Sequence, residues 1–240
     1  MGRHFLPSRP IFMHIMYEWK FMSIPLTHQT SYPSGGTIPP WTPSGVLPPF
    51  RGPDATVEAG FAPYATSLSE IINRFATSKR RTEILDGFLD FRASINGIGI
   101  VDGFQWIDGS FLEDVETLES RHPKDIDVVT IFKRPIHAID DASWYSFFST
   151  NKNKFSPIEN KKLFKVDSHW IDLNIPPEFI VDRTRYWYGL FSHRRNGLWK
   201  GMLRVPLSIS TDTDARALLI AKANSLPQHD SLAPSRECPQ

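Results

Sequence analysis

The stretch Trp106-Ile107-Asp108-Gly109-Ser110, followed after a spacer by Pro123-Lys124-Asp125-Ile126-Asp127-Val128-Val129, decides how this chain is read. An apolar run ends in a Gly-Ser turn. A polar segment follows, and Asp-Ile-Asp then stands at the head of a second apolar run. Alternate side chains of a strand share a face, so Asp125 and Asp127 project together while Ile126 and Val128 point the other way. Neighbouring carboxylates repel each other unless a cation sits between them. The pattern predicts a strand over 125–132 with a cation site at its leading end.

Outward from this stretch, helix and strand signals alternate. Upstream, Ser67-x-x-Glu70 has the form of a capping box, and Leu68, Ile71, Ile72 and Phe75 follow at helical spacing. A second helix is expected over 82–95, with Asn96-Gly97 as its stop. Lys79-Arg80-Arg81 lies between the two, either as a solvated helix end or as a phosphate contact. Residues 98–107 read as a strand interrupted at Asp102-Gly103, and the polar residues 113–124 as a surface excursion. Downstream, Asp141 is a candidate helix cap, 151–160 a polar loop and 163–173 a strand. Pro176-Pro177-Glu178 opens a helix as proline permits at a first turn. A basic turn at 194–197, a last strand over 200–209 and a helix over 212–223 complete the series. Such alternation points to an α/β (α+β) domain with a mixed β-sheet flanked by helices.

Around this domain, expected over 65–225, residues 1–64 form a proline-rich extended arm that holds eleven of the 20 prolines. Proline removes a backbone donor and biases its predecessor toward extended backbone. The arm is expected to be partly disordered, with order where Trp41, Val46, Leu47 and Phe50 meet a core. It serves as a passive extension or docks on a protein partner, and Met22 is an alternative start. A disordered tail is expected over 226–240. Its Cys238 is the single cysteine, so no internal disulfide forms, which agrees with a cytoplasmic location. No apolar run approaches a membrane span, and His14, Glu18 and Lys20 interrupt the N-terminal apolar pieces. A net charge of +1 gives no global footprint for a polyanion, so any nucleic-acid contact requires a local basic patch.

The chemistry that suits paired carboxylates is metal-assisted phosphoryl or nucleotidyl transfer. Magnesium takes hard oxygen ligands, and a pair of such ions can hold the attacking oxygen and the reacting phosphate in line. Opposite them, Gly109 permits close backbone approach, and Ser110 with nearby amides can hold a phosphate. A third carboxylate is needed on a strand beside that of Asp125 and Asp127. Asp167 and Asp172 share one strand but have opposite parity, so only one can face the site without a bulge.

These residues resemble the signature of the polymerase-beta-like nucleotidyltransferase superfamily: hydrophobic-Gly-Ser, a spacer, then Asp-hydrophobic-Asp-hydrophobic. That superfamily includes minimal nucleotidyltransferases, aminoglycoside nucleotidyltransferases and toxin–antitoxin adenylyltransferases. A nearer likeness is to a poorly characterised bacterial family of nucleotidyltransferase-like proteins. It is carried by Leu47-Pro48-Pro49, Arg74-Phe75, Asp108-Gly109-Ser110-Phe111, Pro123-Lys124-Asp125-Ile126-Asp127 and Lys200-Gly201. The spacer of residues 111–124 is long for the pattern, and Phe50 stands where glycine is expected after Leu-Pro-Pro.

The resemblance implies a nucleotidyltransferase-like fold and transfer of a nucleoside monophosphate from a nucleoside triphosphate, such as ATP, to a hydroxyl of a protein, RNA or small molecule. It implies Mg2+ or Mn2+ on Asp125, Asp127 and Asp167, the last in the hydrophobic-Asp pattern of the third position. Asp172 remains the alternative. Nucleotide contacts fall to Gly109 and Ser110; Arg195 and Lys200, in a basic cluster with Arg194, are candidates for nucleotide binding, with a solvated turn as the other reading of that cluster. The competing expectation is a catalytically inactive subunit on the same fold, of antitoxin or antiviral-defence type. A carbohydrate- or RNA-binding domain is a third. His169 and His193 read as surface or hydrogen-bonded histidines, because no His/Cys cluster has metal spacing. The aromatic series from Trp144 to Trp199 reads as core, with one ring free to stack on a base.

Overall fold

A computed structural model describes residues 37–53 and 60–227 of the chain. The expectations for the first part of the arm, for the end of the tail and for Cys238 lie outside the described residues. In order, the elements are β1 (Tyr64–Ala65), α1 (Leu68–Phe75), α2 (Lys79–Asn96), β2 (Gly103–Asp108), α3 (Val115–Glu119), β3 (Ile126–Phe132), α4 (Asp141–Asn151), α5 (Pro157–Phe164), β4 (Val166–Asp172), α6 (Pro177–Phe191), β5 (Leu203–Pro206) and α7 (Asp212–Ser225).

The strands form one mixed sheet in the order β1-β5-β2-β3-β4. β2 runs antiparallel to β3 and β5, whereas β4 runs parallel to β3 and β1 parallel to β5. The expected mixed sheet flanked by helices is therefore the observed architecture.

Local signals account for most boundaries. Ser67 and Glu70 form the reciprocal capping box that opens α1, which buries Leu68, Ile71, Ile72 and Phe75. α2 begins three residues ahead of its expected start because Ser78 accepts the Arg81 N–H as an N-cap. The basic triplet thus belongs to the first turn of α2, where the helix dipole disfavours positive charge.

The sheet is covered on two faces. On one, Arg92 of α2 donates to Gln105 of β2, which donates in turn to Thr130 of β3. The core lies on that side, with Ile84, Leu85, Phe88 and Phe91 of α2 buried together with Ile107, Val128 and Phe132. Each such side chain contributes roughly 1.5–3 kcal/mol relative to exposure. On the other face α6 covers the sheet thinly, and Phe191 is its one buried residue. Its Trp187 ring lies 4.0 Å from His169, and Tyr188 meets Trp106 edge-on. This thin cover leaves a cleft beside the strand ends.

The described part of the N-terminal arm packs on the domain. Val46 and Leu47 are buried, and Trp41 donates its indole N–H to the Leu112 carbonyl at 2.7 Å. Among the described residues no helix is long and apolar enough to cross a membrane.

Candidate functional site

Antiparallel pairing sets Asp108 of β2 opposite Asp127 of β3, and parallel pairing sets Asp127 opposite Asp167 of β4. Three aspartates on three adjacent strands therefore stand in one row on one face. Asp125 precedes β3 with the same parity as Asp127. Asp172 projects to the other face, where the buried Arg134 holds it at 2.7 Å. The register thus puts Asp167, and not Asp172, beside the Asp-x-Asp pair.

The Gly-Ser turn closes on this row. Gly109 has φ +89°, a conformation that favours glycine, and a β-carbon there would collide with the Asp127 carboxylate. Glycine is thus required both by the backbone and by its neighbour. Ser110 opens a single 3-10 turn, and its side chain lines a cleft of about 660 Å3. Of the residues expected at the site, Gly109, Ser110, Asp127, Asp167, Arg195 and Lys200 all line this cleft. Asp125 is joined to them through a lysine. A larger groove of about 740 Å3 runs between α2 and α7 and contains no residue of either motif.

Charges in the cleft are unevenly compensated. Lys161 of α5 places its ammonium 2.9 Å from Asp125 and 2.8 Å from Asp167. Hydrogen bonds to Asp167, then to Asp125, raise its pKa further above the ordinary lysine range. The other Asp167 oxygen lies 3.2 Å from His169 Nε2. Burial lowers the His169 pKa and outweighs the attraction of Asp167. Among the described residues Asp127 has no such ion-pair partner. Burial, followed by the charges of Asp125 and Asp167, pushes it up to about 6 despite Lys200 and Lys161. An elevated carboxylate among carboxylates marks a place that favours added positive charge.

Lys200 differs from the expected open phosphate contact. Its side chain is only 6% exposed, with the ammonium 2.9 Å from both Asp108 and Glu113. Burial alone would lower its pKa, but the two carboxylates reverse that and raise it. Burial pushes Asp108 up to about 7, with Lys200 opposing. Arg194 lies 2.6 Å from Glu113 and 3.6 Å from Glu119. Arg195 is exposed at the rim.

Glu113 belongs to the spacer; its burial corrects the start of the expected surface excursion, whose residues 117–121 are exposed as expected. Phe111, Leu112, Glu113 and Val115 are all buried. The cause is α2: Arg81 donates to the Phe111 and Glu113 carbonyls and to Glu116, while Arg80 donates to the Pro123 and Lys124 carbonyls. Two adjacent arginines thus hold both ends of the spacer, the second directly before Asp125. Arg80 and Arg81 of the Lys79-Arg80-Arg81 triplet form a clamp, which neither expectation for that triplet described.

The dispersed motifs meet around the same turn. Phe75 packs on Phe111 with ring centroids 5.6 Å apart, and Arg74 lies over Trp41. Gly201 donates its N–H to the Leu47 carbonyl at 2.8 Å. A β-carbon at Gly201 would collide with the Pro48 carbonyl, so the Leu-Pro-Pro and Lys-Gly motifs touch because Gly201 lacks one. That contact seats the neighbouring Lys200 beneath the Gly-Ser turn.

The donor set suits a hard divalent cation: Asp125, Asp127 and Asp167 offer carboxylate oxygens, and Asp127 lies in the field of the other two. In the present arrangement Lys161 takes the shared position between Asp125 and Asp167. Among the described residues no group of three or more His, Cys, Asp or Glu side chains stands in metal-holding geometry.

Sequence reasoning missed Asp108, Glu113 and Lys161 as members of the site. Asp108 was legible from strand alternation once β2 is paired with β3. Lys161 was legible from Ser156-Pro157-x-Glu159, a helix-start pattern inside the expected polar loop of 151–160. Glu113 had no local signal, because its burial depends on Arg81, which is distant in sequence.

Fold and site together define a mixed α/β domain with an aspartate-lined cleft at the ends of adjacent strands. The chain belongs to a family of unknown function, DUF6932, whose model matches residues 39–206. No curated protein and no solved structure matches it.

Proposed function

We propose that the chain is a metal-dependent nucleotidyltransferase that moves a nucleoside monophosphate from a nucleoside triphosphate to a hydroxyl acceptor. The observation that carries this reading is the register: Asp127 and Asp167 are direct neighbours on β3 and β4, with the Gly109 turn closed against Asp127. Asp125, Asp127 and Asp167 would hold Mg2+ or Mn2+, which would neutralise charge developing on the phosphates during in-line displacement.

The chain's own groups supply the rest. Ser110 and the backbone of the turn receive the triphosphate, and Arg195 meets its charge at the rim. Lys200 braces the turn from beneath through Asp108 and Glu113. The acceptor oxygen forms a bond to the α-phosphorus, the bond to the bridging oxygen breaks, and pyrophosphate leaves. The acceptor proton passes to Asp167, which His169 orients. α6 offers Trp187 and Leu190 as the apolar wall of the cleft.

A test follows label from the nucleotide. With Mg2+ and a lysate as acceptor source, α-phosphate label is expected in product and γ-phosphate label in pyrophosphate, with both lost in Asp125→Asn. Equal labelling by the wild type and the variant would contradict the reading. One observation favours a second reading, a catalytically inactive interaction subunit: Lys161 and Lys200 already neutralise much of the cleft internally. A stoichiometric protein partner on purification from the native host, without label transfer, would support it.

A further inference from the structure

Lys161 is not a loose surface lysine. α5 is followed by its cap Lys165, whose left-handed backbone (φ +57°) turns the chain directly into β4. The Lys165 carbonyl accepts the Ile126 N–H, so the turn is tied to the start of β3. Beside Lys161, Asn160 is buried and donates to the Ser168 hydroxyl and the Lys154 carbonyl, each at 2.8 Å. The helix that carries Lys161 is therefore fixed against the strand that carries Asp167. From there the ammonium reaches two carboxylates that come from different strands. A lysine serving only the helix dipole needs neither contact, and Lys162 in the same turn makes no such pair among the described residues.

We propose that Lys161 is a tethered cation that occupies the position between Asp125 and Asp167, and that a divalent ion enters there only by displacing it. The proposal rests on the metal reading of these carboxylates. Its consequence is a gate on metal affinity. Without a divalent ion the lysine keeps Asp125 and Asp167 together against their mutual repulsion. On metal entry the ammonium is released at the mouth of the cleft. Half of the Lys161 side chain is exposed, so its departure requires no rearrangement of α5.

Mn2+ titration by calorimetry, with wild type and Lys161→Met, tests this. Methionine keeps the length and apolar stem and removes the charge. Affinity for Mn2+ is expected to rise about tenfold or more in the variant, since the ion no longer competes with a bound ammonium. Thermal unfolding gives the second readout. The variant is expected to melt below wild type in EDTA and to gain more from saturating Mn2+ than wild type does. Equal Mn2+ affinity in the two proteins, or weaker binding by the variant, would overturn the role of Lys161 while leaving the metal site standing. Absence of saturable Mn2+ binding in both proteins would overturn the metal reading itself, and the role of Lys161 with it.

Discussion

Gly109 and Asp127 illustrate how closely the site is built at the scale of single residues. Gly109→Ala places a methyl group against the Asp127 carboxylate at φ +89°. The expected cost is about 2 kcal/mol or more, read as a lower denaturant midpoint at unchanged slope. Asp127 gives a prediction with a definite sign. Its folded pKa of about 6 lies above the unfolded value of about 3.9, so the folded state binds the extra proton between them. The carboxyl therefore favours folding most below pH ~4, and that contribution is lost as pH rises through 6. In EDTA, the wild-type melting temperature is expected to fall relative to Asp127→Asn between pH 5 and pH 8. The difference should correspond to about 1.4 kcal/mol, the part of the shift that titrates above pH ~5, with Mn2+ abolishing it. Parallel pH curves for the two proteins would contradict this assignment.

Among the elements, the first turn of α2 carries the most unexpected role. Arg81 is fully buried, and its guanidinium holds the Phe111 and Glu113 carbonyls and the Glu116 carboxylate. Arg81→Met removes the guanidinium from the two carbonyls and, among the described residues, leaves the Glu116 carboxylate with His122 alone beside it. The expected destabilisation is about 3–5 kcal/mol, measured by chemical denaturation, with the loss concentrated in the spacer by hydrogen exchange. An effect below about 1 kcal/mol would show that the clamp is not structural.

The same element explains what could be read from sequence. The Ser67 capping box and the Asp-Ile-Asp strand head are local patterns, and both appear where expected. The parity of Asp167 and Asp172 was also legible, because strand alternation is local. Two features depended on contacts between distant residues, and one, α5, had a local start signal outweighed by its polar composition. The arginine clamp buries the first residues of a polar spacer, Glu113 among them, that by composition alone belong outside. α5 hid in lysine- and asparagine-rich sequence despite its Ser-Pro-x-Glu start. The pairing of Lys200 with Glu113 needed the contact between Gly201 and Leu47-Pro48.

At the scale of the whole molecule, five short motifs spread over residues 47–201 converge on one turn. Leu47-Pro48 seats Gly201, and Arg74-Phe75 supports Phe111. Gly109 closes on Asp127, and the Lys124 carbonyl, held by Arg80, leads into Asp125. Convergence of this kind concentrates the structure on the cleft rather than on the helices that surround it. We propose that the aspartate row is a divalent-dependent nucleotide site.

Calorimetric titration of each of ATP, GTP, CTP and UTP, with MgCl2 or with EDTA, tests it most directly. At least one nucleotide is expected to bind wild type saturably with Mg2+ and not with EDTA. Asp127→Asn is expected to lose that binding, whereas Asp172→Asn, altered on the opposite face, retains it. Isotherms that are the same for wild type and Asp127→Asn, or no binding by wild type to any of the four, would contradict the account.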